Sequence, residues 1–162
     1  RAIPDAYCVI GGAGDLSAEL AAQARALGLA ERVLFPGHVS SEETPDYYAL
    51  CDVVAAPSVV DQAGNVDGLP LEVVEAMAAG RALAASRVAG IPDVVEDGVT
   101  GLLTPPGDEA ALAEALIRLL RDPALRQALG GRARQAVVER YSIESMARRY
   151  EALYAEAVAA RG

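Results

Sequence analysis

The chain has 162 residues with 14 basic and 23 acidic side chains, a formal charge of −9 that argues against nucleic acid or an anionic membrane surface as a partner. At 52% hydrophobic residues it is long enough for one domain with a real core, residues 1–162. No run reaches the apolar length of a spanning helix, and the start RAIPDAYCVIGG is not a signal peptide. Cys8 and Cys51 sit in apolar strand-like runs where buried, reduced thiols are the ordinary outcome, which points to a cytoplasmic chain without a disulfide framework.

Short apolar runs alternate with helical patterns along the chain, the signature of an α/β fold in which a Rossmann-like parallel sheet carries helices on both faces. The predicted strands are Ala6 to Ile10, Arg32 to Phe35, Asp52 to Ala56, Arg81 to Ala85 and Gly101 to Leu103. Ser17 is placed to cap a helix running to about Leu27, and Thr44-Pro45 to start one that ends before Cys51. The run Leu71 to Ala79 is amphipathic. Asp108 caps a helix with Leu112, Leu116, Leu119 and Leu120 on one face, and Pro123 opens the next. A last helix starts at Ser142 and carries Ile143, Met146, Tyr150, Leu153 and Tyr154 at helical spacing, a stripe read as packing rather than a cofactor box.

The most informative stretch is DGLPLEVVEAMAAG, from Asp67 to Gly80. A Gly-Leu-Pro turn opening straight into a helix leaves the N–H groups of Leu71 and Glu72 without intrahelical partners, so they form an anion site. Pro70 suits the first helical position, where its missing N–H costs nothing, and Gly68 lets a ligand approach the backbone. Asp67 and Glu75 flank that site. Carboxylates repel a phosphate, so their presence makes sense if they accept hydrogen bonds from neutral hydroxyls beside it. On spacing alone, a turn-forming Asp67 and a solvated Glu75 account for the pattern equally well.

The neighbouring motifs shift that balance. VIGGAGDL, RVLFPGHVS, CDVVAAPS, DGLPLEVVEAMAAG and AGIPDVVEDGVTGLLTPPGD occur in this order between about Pro4 and Tyr154. Together they resemble the C-terminal, donor-binding half of retaining GT-B glycosyltransferases of glycosyltransferase family 4. The resemblance implies a transferase of the hexosyl type that moves a sugar from a nucleotide-diphosphate sugar to a hydroxyl acceptor with the anomeric configuration kept. It implies two acids at the catalytic centre with seven residues between them, the first touching sugar hydroxyls and the second the ribose, which here are Asp67 and Glu75. Asp stands where the family usually has Glu, one methylene shorter. The backbone of Gly68, Leu69, Pro70, Leu71 and Glu72 is then expected to hold sugar and phosphate, with Gly11 and Gly12 lining the cleft and Val39 facing the nucleobase.

The same resemblance implies that the chain starts after the family's first strand and after the Arg and Lys that hold the diphosphate. No lysine occurs in the 162 residues. The missing strand would be central, so the expectation is two half-sheets with unpaired edges, completed by another chain or segment or closed up by rearrangement. The expected partners are the nucleotide sugar, that first strand and the N-terminal GT-B domain, with any peripheral membrane contact coming only through the absent half. The chain alone is expected to be inactive. No cofactor is expected. Metal binding has little support, because no Asp-x-Asp pair occurs and His and Cys are too few for a zinc site. His38 is read as a surface or packing residue, and Arg87 as solvated rather than an acceptor or phosphate ligand. Two other readings stay open: a non-catalytic nucleotide-sugar-binding or regulatory module, and a nucleotide-sugar epimerase of the same fold.

Overall fold

The computed structural model describes residues 2–160. It is an α/β fold that divides into two compact units, Arg1–Leu50 and Cys51–Gly162.

The first unit holds β1 (Cys8–Gly11), α1 (Ser17–Ala26), β2 (Val33–Gly37) and α2 (Thr44–Leu50). β1 and β2 run parallel with Cys8 opposite Val33 and Val9 opposite Leu34, and the register shifts before Gly11 meets Gly37. Ser17 is the first residue of α1 rather than its cap: its hydroxyl donates to the Gly14 carbonyl at 2.7 Å and accepts from the Gly14 N–H, closing the preceding turn. Leu16 occupies the cap position without a side-chain bond. The expected burial of Cys8 is also corrected. All four residues of β1 are exposed.

The second unit holds β3 (Val53–Ala56), α3 (Leu71–Ala78), β4 (Ala82–Ser86), α4 (Ile91–Val94), β5 (Leu102–Thr104), α5 (Glu109–Arg121), α6 (Pro123–Tyr141) and α7 (Ile143–Ala159). Its three strands are parallel in the order β3-β4-β5. β4, ALAAS, is buried at every position, as a central strand covered on both faces must be. Its small side chains leave room for Met77 and Val73 of α3 and for Leu119 and Leu129 of α5 and α6, all fully buried. Asp108, Asp122 and Ser142 cap α5, α6 and α7, each accepting from the backbone N–H three residues on. Cys51 lies before β3 rather than in a strand and is half-buried; both cysteines are free.

The expected break in the sheet is present. Among the described residues β1 pairs only with β2, and β3 only with β4, so five parallel strands form a pair and a trio. The apolar stripe of α7 is bare. Ile143, Met146, Tyr150, Leu153 and Tyr154 stay at least half exposed, with Tyr150 and Tyr154 stacked on each other.

Candidate functional site

In the second unit the chain leaves β3 at Ala56 and crosses a loop to α3. Asp61 organises that loop, accepting hydrogen bonds at 2.8 Å from the backbone N–H groups of Ala63 and Asn65 and from the Asn65 side chain. The Asn65 side chain, then its backbone, hold the Asp61 carboxyl below the usual carboxylate range. Asp67 and Gly68 follow, both exposed.

Pro70 is buried and sits one place earlier than expected. With φ −61° and ψ 132° it is the N-cap, and the helix begins at Leu71. The fixed φ of proline suits either position, and an extended ψ leaves it outside the helix. No side chain caps α3, and the Val73 N–H reaches back to the Pro70 carbonyl at 3.2 Å. Val73, Ala76 and Met77 anchor the helix in the core. Leu71, Glu72 and Glu75 therefore face outward, and Leu71 is exposed despite being apolar. The result is an uncapped helix start with Asp67 just ahead of it and Glu75 one turn along.

A second loop braces this turn. After β4 the chain makes a tight reversal in which the Ile91 N–H meets the Val88 carbonyl, and the Gly90 N–H donates to the Gly68 carbonyl at 2.7 Å. Arg87 is exposed, as expected, and its guanidinium pairs with Asp97 at 2.6 Å, while the other Asp97 oxygen accepts from the Leu103 N–H at 2.9 Å. A cavity of about 420 Å³ lies elsewhere, lined by Glu139, Arg140, Tyr141, Ser145 and Arg149, and shares no residue with the turn.

Within the first unit the structure brings Gly11, Gly12 and Val39 together. A Cβ on Gly11 would stand 3.2 Å from a Val39 methyl, and the Gly12 N–H, at φ 137°, donates to the Gly37 carbonyl at 2.7 Å. Among the described residues nothing lies within 4 Å of where a Cβ on Gly12 would stand, and its φ favours glycine. His38, in the next loop, is exposed. Ser40 and Glu43 bond reciprocally through side chain and backbone just before α2.

Residues 1–136 match the family model described as glycosyl transferases group 1. The chain belongs to that family. It is 37% identical over 131 residues to the GDP-mannose-dependent alpha-(1-6)-phosphatidylinositol monomannoside mannosyltransferase of Mycolicibacterium smegmatis, covering 80% of this chain and 34% of that protein. Among solved structures it resembles sucrose-phosphate synthase from Thermosynechococcus elongatus, at 34% identity and a TM-score of 0.77 over 94% of this chain and 38% of that one. It also resembles Anabaena Alr3699/HepE in complex with UDP and glucose, at 26% identity and a TM-score of 0.81, over 95% of this chain and 41% of that one. The group 1 chain thus spans about a third to two fifths of the length of these relatives. These neighbours support the expected α/β fold of a GT-B C-terminal domain. Among the described residues of this group 1 chain no helix is long and apolar enough to cross a membrane.

Two features of the site lie outside the expected residues. The Asp61 loop could have been read from Asp-x-Ala-x-Asn as a side-chain-closed turn. The Gly90 to Gly68 bond had no local signal, since its partners stand 22 positions apart.

Proposed function

We propose that this chain is the donor-binding half of a retaining, metal-independent glycosyltransferase that moves a hexosyl group from a nucleotide-diphosphate sugar to a hydroxyl acceptor. One observation carries the reading: the start of α3 has no side-chain cap and lies behind an exposed turn, with one carboxylate ahead of it and another one helical turn in. Unpaired amides and the helix dipole favour an anion there, and acids beside an anion are tolerable when they bind neutral hydroxyls. Asp67 is the proposed sugar ligand and Glu75 the ribose ligand, with the backbone of Gly68, Leu69, Leu71 and Glu72 on sugar and phosphate and Pro70 setting the entry angle. Gly11, Gly12 and Val39 are proposed as further donor contacts on the nucleobase side. Bound UDP and UDP-glucose in the Anabaena neighbours support a nucleotide-sugar donor.

Departure of the nucleoside diphosphate puts negative charge on its leaving oxygen, and helix-start amides stabilise charge that develops there. The remaining positive charge and the acceptor site would come from parts of the full-length protein outside these residues. Expected inactivity of the chain alone follows from that division. A non-catalytic module or an epimerase is not favoured, because the family and its named relatives are transferases. The test is a transfer assay on the full-length protein with UDP-, GDP- and ADP-sugars, reading product anomeric configuration by NMR and repeating the assay in EDTA. Retention with at least one donor, unchanged by EDTA, is the expected result; inversion, or loss of turnover in EDTA, would overturn the mechanism.

A further inference from the structure

Gly90 has φ −78° and ψ −3°, a conformation open to any residue, while its neighbour Ala89 has φ 48°, the left-handed region that favours glycine. Conformation therefore does not explain the glycine at 90. Space does. A Cβ there would lie 2.7 Å from the Gly68 carbonyl oxygen and 3.4 Å from the Leu69 Cβ, and the first of these is a backbone atom that cannot rotate away. The same oxygen accepts the Gly90 N–H at 2.7 Å. Ala89 is the sole non-glycine residue with positive φ among those described, so the turn keeps a strained residue while delivering this one amide.

The bond has a directional consequence. In a trans peptide the C=O of one residue and the N–H of the next point in opposite directions. Fixing the Gly68 carbonyl on Gly90 therefore aims the Leu69 N–H to the side away from Gly90. We propose that Gly90 is a positioning residue that locks the Gly68–Leu69 peptide so that the Leu69 N–H, with those of the α3 start, is presented to the anionic part of the nucleotide donor. This inference rests on the donor-site reading above. Gly90 does not touch the donor; it acts through the turn.

The test is a steady-state comparison in the full-length protein. Gly90→Ala is expected to raise the donor KM about ten-fold, the loss that follows when one charge-assisted hydrogen bond is misaimed, with the acceptor KM unchanged. Gly101→Ala serves as a destabilised control, because its Cβ would press on Val95 at 2.8 Å and on the Leu83 carbonyl at 3.2 Å without touching the turn. That variant is expected to lower the melting temperature but keep the donor KM. A KM unmoved by Gly90→Ala would overturn the positioning role. Should Gly90→Ala fail to fold, wild-type protein labelled with 15N-leucine decides: UDP is expected to shift the Leu69 amide strongly, and an unmoved Leu69 resonance at saturation sinks the idea. Glu75→Ala separates the two levels. If Glu75→Ala raises donor KM and Gly90→Ala does not, the positioning role alone fails; if neither does, the donor-site reading has failed with it.

Discussion

The adjacent glycines 130 and 131 of α6 give a prediction of opposite signs. A Cβ on Gly130 would overlap the Gly80 carbonyl oxygen and lie 2.8 Å from the Gly80 carbonyl carbon and 3.3 Å from that of Arg81. All three atoms are backbone, in the turn that joins α3 to β4, so no rotamer relieves the overlap. Helix α6 would have to lift off that turn and loosen Leu129, Ala133 and Val137, all buried. Overpacking of this kind costs about 1–3 kcal/mol, whereas replacing a mid-helix glycine by alanine returns about 0.5–1 kcal/mol. Rigid backbone on the receiving side puts the overlap at the upper end, so the net loss for Gly130→Ala is about 2 kcal/mol. At about 2–4 °C per kcal/mol this lowers the melting transition by about 4–8 °C. Gly131→Ala meets nothing within 4 Å and collects the helix gain alone. Its transition should rise by about 1–4 °C. Differential scanning calorimetry of the full-length protein reads both shifts in the transition that contains this chain. Shifts of the same sign, or a Gly130→Ala transition at or above wild type, would refute the packing of α6 on Gly80.

Three further outcomes are expected. Asp97→Ala should cost about 1–2 kcal/mol in the same calorimetric measurement, because it leaves both the Leu103 N–H and Arg87 without their acceptor, while Arg87→Ala should cost less than about 0.5 kcal/mol, its ion pair being half exposed; equal losses would contradict this. Burial pushes the Cys51 thiol up and Arg81 pulls it only partly back, so iodoacetamide should modify Cys51 more slowly than free cysteine at neutral pH, and faster labelling would show a thiolate the structure does not support. Asp61 should titrate below an ordinary aspartate when followed by NMR. Because its folded value is lowered, its contribution to loop order is present above the unfolded value near about 3.9 and is lost as the pH falls through the folded one; a midpoint at or above that of a free aspartate would mean the Asp61–Asn65 bonds do not persist.

What the sequence shows most clearly is what local chemistry decides. The caps at Asp108, Asp122 and Ser142 were legible because a short polar side chain and the amide three residues on are all that is needed. Alternation of apolar runs with helical patterns identified all five strands, each displaced by one or two residues, since strand ends are set by the neighbour across the sheet. Ser17 was misplaced because its hydroxyl serves the Gly14 turn instead of the helix. Cys8 reads as buried by residue type and is exposed, because residue type does not say what covers the face of a strand. The α7 stripe showed a helix with an apolar face, and spacing says nothing of what covers it. At the candidate site, the helix start between Asp67 and Glu75 is legible from the Gly-Leu-Pro turn, while the proposed roles of the two acids come from the resemblance and not from their spacing; the Gly90 brace depends on a contact between distant segments that no local pattern encodes.

Calorimetric titration of the full-length protein with UDP-, GDP- and ADP-sugars, wild type against Glu75→Ala, tests the donor site most directly. Loss of a charge-assisted hydrogen bond worth about 1.5–3 kcal/mol should weaken the preferred donor by about 10- to 150-fold with circular dichroism unchanged. Wild-type affinity in the Glu75→Ala protein, for a donor that binds at all, would contradict the site.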